Sequence, residues 1–224
     1  MIKISKRLEA ISSLVSNNSK VIDVGCDHGL LDIYLYQNKI STKIIASDIN
    51  ENALNNAKEN IKKNKLEEHI ETRLGNGLDT LKETDEIDTV IISGMGAHTI
   101  VSVIKNNLNK LKKIDNIIIQ SNTKLEYLRK EITKLNYIII DELMIEENKK
   151  IYTIIKFIKG NKKYNKKELY FGPVLMKKNT ELFKSNNKKE ITKLEILLKQ
   201  LPKTKIIDRY KLKKKLQMYQ KIQK

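Results

Sequence analysis

Short β-branched runs alternate with helical patterns through the first 160 residues. That alternation restricts the chain to a sheet of parallel strands joined by crossover helices. An amphipathic opening helix, with Ile4, Leu8, Ile11 and Val15 on one face, leads into predicted strands at 20–25, 43–48, 69–74, 88–93 and 116–120. Helices are predicted at 30–38, 51–65, 97–111 and 124–135 between and after them. The fourth and fifth strands read as nearly unbroken apolar runs, the mark of strands buried on both faces. Two more β-rich runs, 137–144 and 151–158, flank a polar stretch at 146–150 and predict a closing hairpin.

Beyond Gly160 the period changes. Leu175, Leu182, Ile191, Leu194 and Leu198 recur at helical spacing, Pro202 breaks the pattern, and Ile206, Leu212, Leu216, Met218 and Ile222 resume it. The expectation is a coiled-coil-like helical hairpin over 161–224, appended to an α/β domain over 1–160. Charge divides at the same place. The chain has 44 basic and 27 acidic residues, a formal net charge of +17, and +15 of it lies in residues 161–224. A bias toward lysine would act on both segments alike, so the asymmetry points to a polyanion-binding appendage.

The chain has one cysteine, Cys26, so no internal disulfide forms. No run approaches the ~18 apolar residues that cross a bilayer, and the first ten residues lack the apolar core of a secretory signal. A cytoplasmic protein is expected.

In open α/β sheets, ligands sit outside the carboxyl ends of the strands. Here the first strand runs into Asp23-Val-Gly-Cys-Asp-His-Gly29. A dinucleotide site would place glycines where this loop has acids, and carboxylates would repel a pyrophosphate. They suit a cationic sulfonium that also carries an ammonium, which points to S-adenosylmethionine. Asp48 ends the second strand, where a carboxylate can accept both ribose hydroxyls. Gly75-Asn76-Gly77-Leu78 is a tight turn at the same edge, placed for the adenine. Ser93-Gly94-Met95-Gly96 offers close backbone approach and an apolar side chain toward the methyl donor, and Gln120-Ser121-Asn122 completes the rim.

These residues resemble the TrmK family, bacterial enzymes that methylate N1 of adenine 22 in tRNA. The resemblance rests on Arg7-Leu8, Asp23-Val-Gly-Cys-Asp-His28, Ala46-Ser-Asp48, Arg73-Leu-Gly-Asn-Gly-Leu78, Ser93-Gly-Met-Gly96, Lys150-Ile-Tyr-Thr-Ile-Ile155 and Phe171-Gly-Pro-Val-Leu175. The chain departs from the family pattern at Asn76, usually Asp, and at Ala97, usually Gly. The resemblance implies a Rossmann-like class I methyltransferase domain with a C-terminal coiled-coil domain that helps bind tRNA. It implies cofactor contacts from Asp23, Gly25, Cys26, Asp48, Ile49, Asn76, Gly77, Ser93, Gly94 and Met95, and substrate contacts from Arg7, Gly96 and Asn122, with the Arg7 guanidinium on the opening helix able to grip either a phosphate or the carboxylate end of the cofactor. Adenine N1 is unprotonated at neutral pH, so positioning should dominate the chemistry. Asp27 is the expected acceptor of the N6 amino group, and His28 a second contact to the base or its backbone. The partner expected is tRNA, with no metal, no membrane and a monomeric chain. A methyltransferase acting on another RNA or a small molecule, or a noncatalytic RNA-binding protein, remain the alternatives.

Overall fold

A computed structural model describes residues 2–223. The chain divides into two compact units, with the boundary between Tyr164 and Asn165.

The first unit is built on one seven-stranded sheet. Its strands are β1 (Ser19–Val24), β2 (Ser41–Asp48), β3 (Ile70–Leu74), β4 (Thr89–Met95), β5 (Asn116–Ser121), β6 (Tyr137–Glu147) and β7 (Lys150–Lys159), in the order β3-β2-β1-β4-β5-β7-β6. The first five pair in parallel, and β7 inserts antiparallel between β5 and β6. The strand order reverses at β1, between β2 and β4, which is where such sheets open a ligand crevice. Val21, Ile22, Val90, Ile91, Ile92, Ile117, Ile118 and Ile119 are fully buried, as their unbroken apolar runs require.

Around the sheet lie α1 (Lys6–Ser12), α2 (Leu30–Gln37), α3 (Glu51–Lys63), α4 (Ala97–Lys105), α5 (Leu108–Leu111) and α6 (Leu125–Thr133). The single helix expected over 97–111 is two. Asn106 caps α4, and the Asn107 side chain donates to the Val103 carbonyl at 3.1 Å, a local bond that competes with helix continuation. The closing hairpin is tighter than its polar stretch suggested, because Asn148 and Lys149 both take positive φ (51° and 62°) in a two-residue turn. Since β7 runs against its neighbours, its first residues lie at the carboxyl edge of the parallel strands: Ile154 pairs with Gln120 and Ile158 with Asn116. The start of α1 reaches the same edge, where the Lys6 N–H donates to Glu147 Oε1 at 2.7 Å.

The second unit has four helices where the sequence predicted two: α7 (Lys166–Phe171), α8 (Pro173–Lys178), α9 (Glu181–Gln200) and α10 (Ile206–Gln223). Gly172, at φ 91°, and Pro173 at the first position of α8 separate the short pair. Thr180 Oγ1 accepts from the Phe183 N–H to start α9. The expected hairpin is α9 with α10, and Arg209 Nη1 closes their loop by donating to the carbonyls of Leu198 and Leu201. Phe171 meets the Tyr219 ring edge-on at 4.9 Å. Among the described residues, no helix is long and apolar enough to cross a membrane.

Candidate active site

Three loops at the carboxyl edge are tied together by backbone hydrogen bonds. The Gly25 and Cys26 N–H groups donate to the Ser47 carbonyl (2.8 and 3.0 Å), which folds the loop after β1 against the end of β2. Gly25 takes φ 80°, where a side chain would be strained, and a Cβ there would lie 2.5 Å from the Met95 methyl carbon. The end of β4 therefore closes directly over the first loop. The Asp48 carboxylate joins the second and first loops, with Oδ1 accepting from the Asn50 N–H (2.8 Å) and Oδ2 from the Asp27 N–H (3.2 Å). Each oxygen keeps a lone pair, so both remain able to accept a hydroxyl. The Gly75 N–H donates to the Asp48 carbonyl at 2.9 Å, which brings Asn76 and Gly77 to the same place. Gly77, at φ 57°, packs where a Cβ would strike Val103.

Asp23 is buried, and its Oδ1 has no hydrogen-bond partner among the described residues. Burial chiefly, then the nearby Asp48 charge, pushes its carboxyl up from the usual range, with Arg7 acting against them. Asp32 on α2 is also pushed up, by burial and then by Asp23. Two buried acids under one loop, with Asp23 Oδ1 and both Asp32 carboxylate oxygens lacking a hydrogen-bond partner among the described residues, fit a ligand that brings positive charge. Ile49 is 69% exposed beside Asp48, an apolar surface suited to a flat ring. These features fit S-adenosylmethionine: acids for its cationic end, Asp48 for its ribose, and Ile49, Asn76 and Gly77 for its adenine. Cys26 is buried, and burial pushes its thiol pKa far upward, so it lines the loop without being a nucleophile.

On the other side of Met95 lies a polar network. A β-bulge interrupts the β4–β5 register between Ser93 and Met95, with Gly94 at φ 79°. Gln120 Oε1 accepts from the Gly94 N–H (3.0 Å) and from Arg7 Nη1 (3.1 Å), while Gln120 Nε2 donates to Asn122 Oδ1 (3.0 Å). Asn122 Nδ2 donates in turn to the Gly94 carbonyl at 2.7 Å. Arg7, Gly94 and Asn122 thus form one cluster, and Gly96 sits beside it against Thr123. Gln120 is buried at its centre, and its role is fixed by pairing with Ser93 across the sheet, which the sequence alone does not display.

Asp27 and His28 belong to the first loop. Asp27 takes φ 53°, and its exposed carboxylate lies 3.6 Å from His28 Nε2. They stand on the Asp48 side, and neither lines the groove that holds Arg7 and Asn122. Among the described residues, no group of three or more His, Cys, Asp or Glu side chains is placed to hold a metal.

Proteins of similar sequence and fold point to a methyltransferase. The family model described as TrmK, tRNA (adenine(22)-N(1))-methyltransferase, matches residues 21–223. The Bacillus subtilis tRNA (adenine(22)-N(1))-methyltransferase is 32% identical over 69% of this chain and 64% of its own length, so the alignment spans just under two thirds of that relative. A putative tRNA methyltransferase of Mycoplasma genitalium is 30% identical over 76% of this chain and 78% of its own. Among solved structures, a Streptococcus pneumoniae putative tRNA (m1A22) methyltransferase in complex with S-adenosyl-L-methionine superposes with a TM-score of 0.92 at 32% identity, covering 99% of this chain and 100% of that one. M. capricolum TrmK, in complex with S-adenosyl-homocysteine, gives 0.87 at 33% identity, covering 97% of this chain and 96% of that one. With a matching family model over nine tenths of its length and a Rossmann-like sheet that carries the motifs at its carboxyl edge, this chain belongs to the TrmK family.

Proposed function

We propose that the protein transfers a methyl group from S-adenosylmethionine to N1 of adenine 22 in tRNA. The observation that carries this reading is the meeting, at Gly94 and Met95, of an acidic loop fitted to a cationic cofactor with a network holding a guanidinium and an amide. When bound, S-adenosylmethionine supplies an electrophilic methyl carbon on a sulfonium. The chain's own residues have to bind, orient and shield. Asp48 accepts the ribose hydroxyls. Gly25 and Gly94 let the backbone come close, and Met95 keeps the space between them apolar and free of water. The N1 lone pair is already available at neutral pH, so no side chain must remove a proton first. The target must leave its pair and stack, because N1 lies on the Watson–Crick edge.

Arg7, Gly96 and Asn122 are assigned to the target nucleotide. Asp27 and His28 are assigned to the outer face of the loop over the cofactor's ribose, because the Asp27 N–H is bonded to Asp48 and the substrate-side network lies elsewhere. This moves them from the base-orienting role that the sequence suggested. The helical unit is assigned to tRNA: residues 165–224 contain 18 basic and 5 acidic side chains.

The test is methylation of an unmodified tRNA transcript with labelled S-adenosylmethionine, followed by mapping of the reverse-transcription stop that N1-methyladenine produces. A stop at nucleotide 22 that vanishes when that adenine is replaced by guanine supports the assignment. Label incorporated elsewhere, or none, overturns it.

A further inference from the structure

A groove of about 740 Å³ opens between the start of α1, the ends of β4 and β5, and the start of β7. Its size falls within the roughly 300–1,000 Å³ typical of ligand sites. One wall is Gly94 and Asn122, at the methyl-donor end. The other is Tyr152, from the sequence motif 150–155, to which nothing above gives a role. Its ring lies under the Arg7 guanidinium, with Cζ 5.6 Å from the centroid, and Gln120 braces that guanidinium from behind.

Tyr36, Tyr127, Tyr137 and Phe157 are engaged elsewhere. Tyr36 stacks on His69, Tyr127 packs on His98, the Tyr137 hydroxyl donates to buried carbonyls, and Phe157 is in the core. Tyr152 is half-buried and lines the groove. Lys150 at the outer end supplies positive charge, and the Glu147 carboxylate is already engaged by the Lys6 N–H. A flat apolar ring braced by a guanidinium, next to the methyl-donor end and flanked by cations, matches an extruded nucleotide: a base to stack and a phosphate to neutralise.

We propose that Tyr152 is the platform on which the target adenine stacks, which presents N1 toward Gly94 and Met95. This rests on the function proposed above. Full-length protein with Tyr152→Leu should lose about 5- to 150-fold in kcat/KM for tRNA, the range of one base–aromatic stack, while calorimetric affinity for S-adenosylmethionine stays unchanged. Tyr152→Phe, which keeps the ring, should retain activity near wild type. Ultraviolet irradiation of the wild-type complex should crosslink Tyr152 to nucleotide 22, a readout that does not depend on a variant folding. Unchanged kcat/KM in the leucine variant, a crosslink to a different nucleotide, or an equal loss of cofactor affinity would each overturn the proposal while leaving methylation of adenine 22 intact. Wild-type protein that leaves no mark at nucleotide 22 would instead refute both this proposal and the function beneath it.

Discussion

Replacing Gln120 by alanine tests whether the substrate side of the site is built as described. The side chain is 1% exposed and makes three hydrogen bonds: two accepted, from the Gly94 N–H and Arg7 Nη1, and one donated to Asn122 Oδ1. Neutral bonds of this kind contribute about 0.5–1.5 kcal/mol net, and one to a charged group about 1.5–3 kcal/mol. Gly94 is exposed and Arg7 half-buried, so water can replace part of what is lost. A net destabilisation of about 2–4 kcal/mol is therefore expected. For a unit of this size each kcal/mol lowers Tm by about 2–4 °C, so the Tm of this unit should fall by about 4–16 °C. Activity should fall further than stability, because the Gly94 loop and Arg7 both lose their anchor, and misplacement by an ångström can cost about 100-fold in rate. Gln120→Glu separates the two effects: it keeps the oxygen that accepts from both Gly94 and Arg7, and strengthens the bond from Arg7, but faces Asn122 Oδ1 without a proton to donate. It should melt closer to wild type than the alanine variant and still lose kcat/KM. Differential scanning calorimetry and initial rates on tRNA read both quantities. An alanine variant that melts within about 2 °C of wild type, with unchanged kcat/KM, would refute the network as the organiser of this edge.

Three further outcomes are expected. Asp48→Ala should weaken S-adenosylmethionine by about 1.5–3 kcal/mol for each charge-assisted bond removed, read in calorimetry, and leave tRNA retention on filters unchanged; equal loss of both would place Asp48 outside the ribose site. Asp23 has a folded-state pKa above its unfolded value, so its contribution to stability is present in acid and is lost as pH rises from about 4 toward about 7. A cationic ligand favours the ionised form, so cofactor affinity should rise with pH over that interval, with proton release on binding seen as a buffer-dependent enthalpy; a flat profile would remove Asp23 from the site. Changing Lys211, Lys213, Lys214 and Lys215 on α10 together to Gln should make the salt dependence of tRNA binding shallower, by about 0.7–0.9 in log–log slope for each phosphate that is no longer neutralised, and an unchanged slope would assign the basic helix to another purpose.

What the sequence displayed, and what it hid, follows from the range of the interactions. The parallel strands were legible because a strand buried on both faces has no freedom to include polar residues, and the loops at their carboxyl ends because Gly25, Asp48, Gly75, Gly96 and Ser121 stand at or just beyond the strand ends. The break between α4 and α5 was hidden because Asn107 ends the helix through a side-chain bond, with no glycine or proline to announce it. The extra helices of the second unit turn on Gly172-Pro173, which the sequence does display but which helical periodicity on either side obscures. Gln120 was legible as part of a strand-end rim, but its bonds to Gly94, Arg7 and Asn122 were not, because they depend on the register that pairs Ser93 with Gln120. Tyr152 stood in a motif whose place was hidden until the antiparallel β7 carries residue 152 back to the carboxyl edge. The bond from the Asp27 N–H to Asp48 was not legible, since it joins the first loop to the end of another strand.

The close approach of Met95 to Gly25 also decides how this protein meets oxidants. The single thiol, Cys26, is buried and held in its protonated form, so peroxide has little thiolate to attack. The thioether beside it is half-exposed and sits where the backbone leaves no spare room. Adding an oxygen to that sulfur makes a polar, chiral group where Met95 packs against the Gly25 loop. Any inactivation by peroxide is then expected to be damage to this thioether, which thiol reductants and disulfide exchange cannot reverse and methionine sulfoxide reductases can.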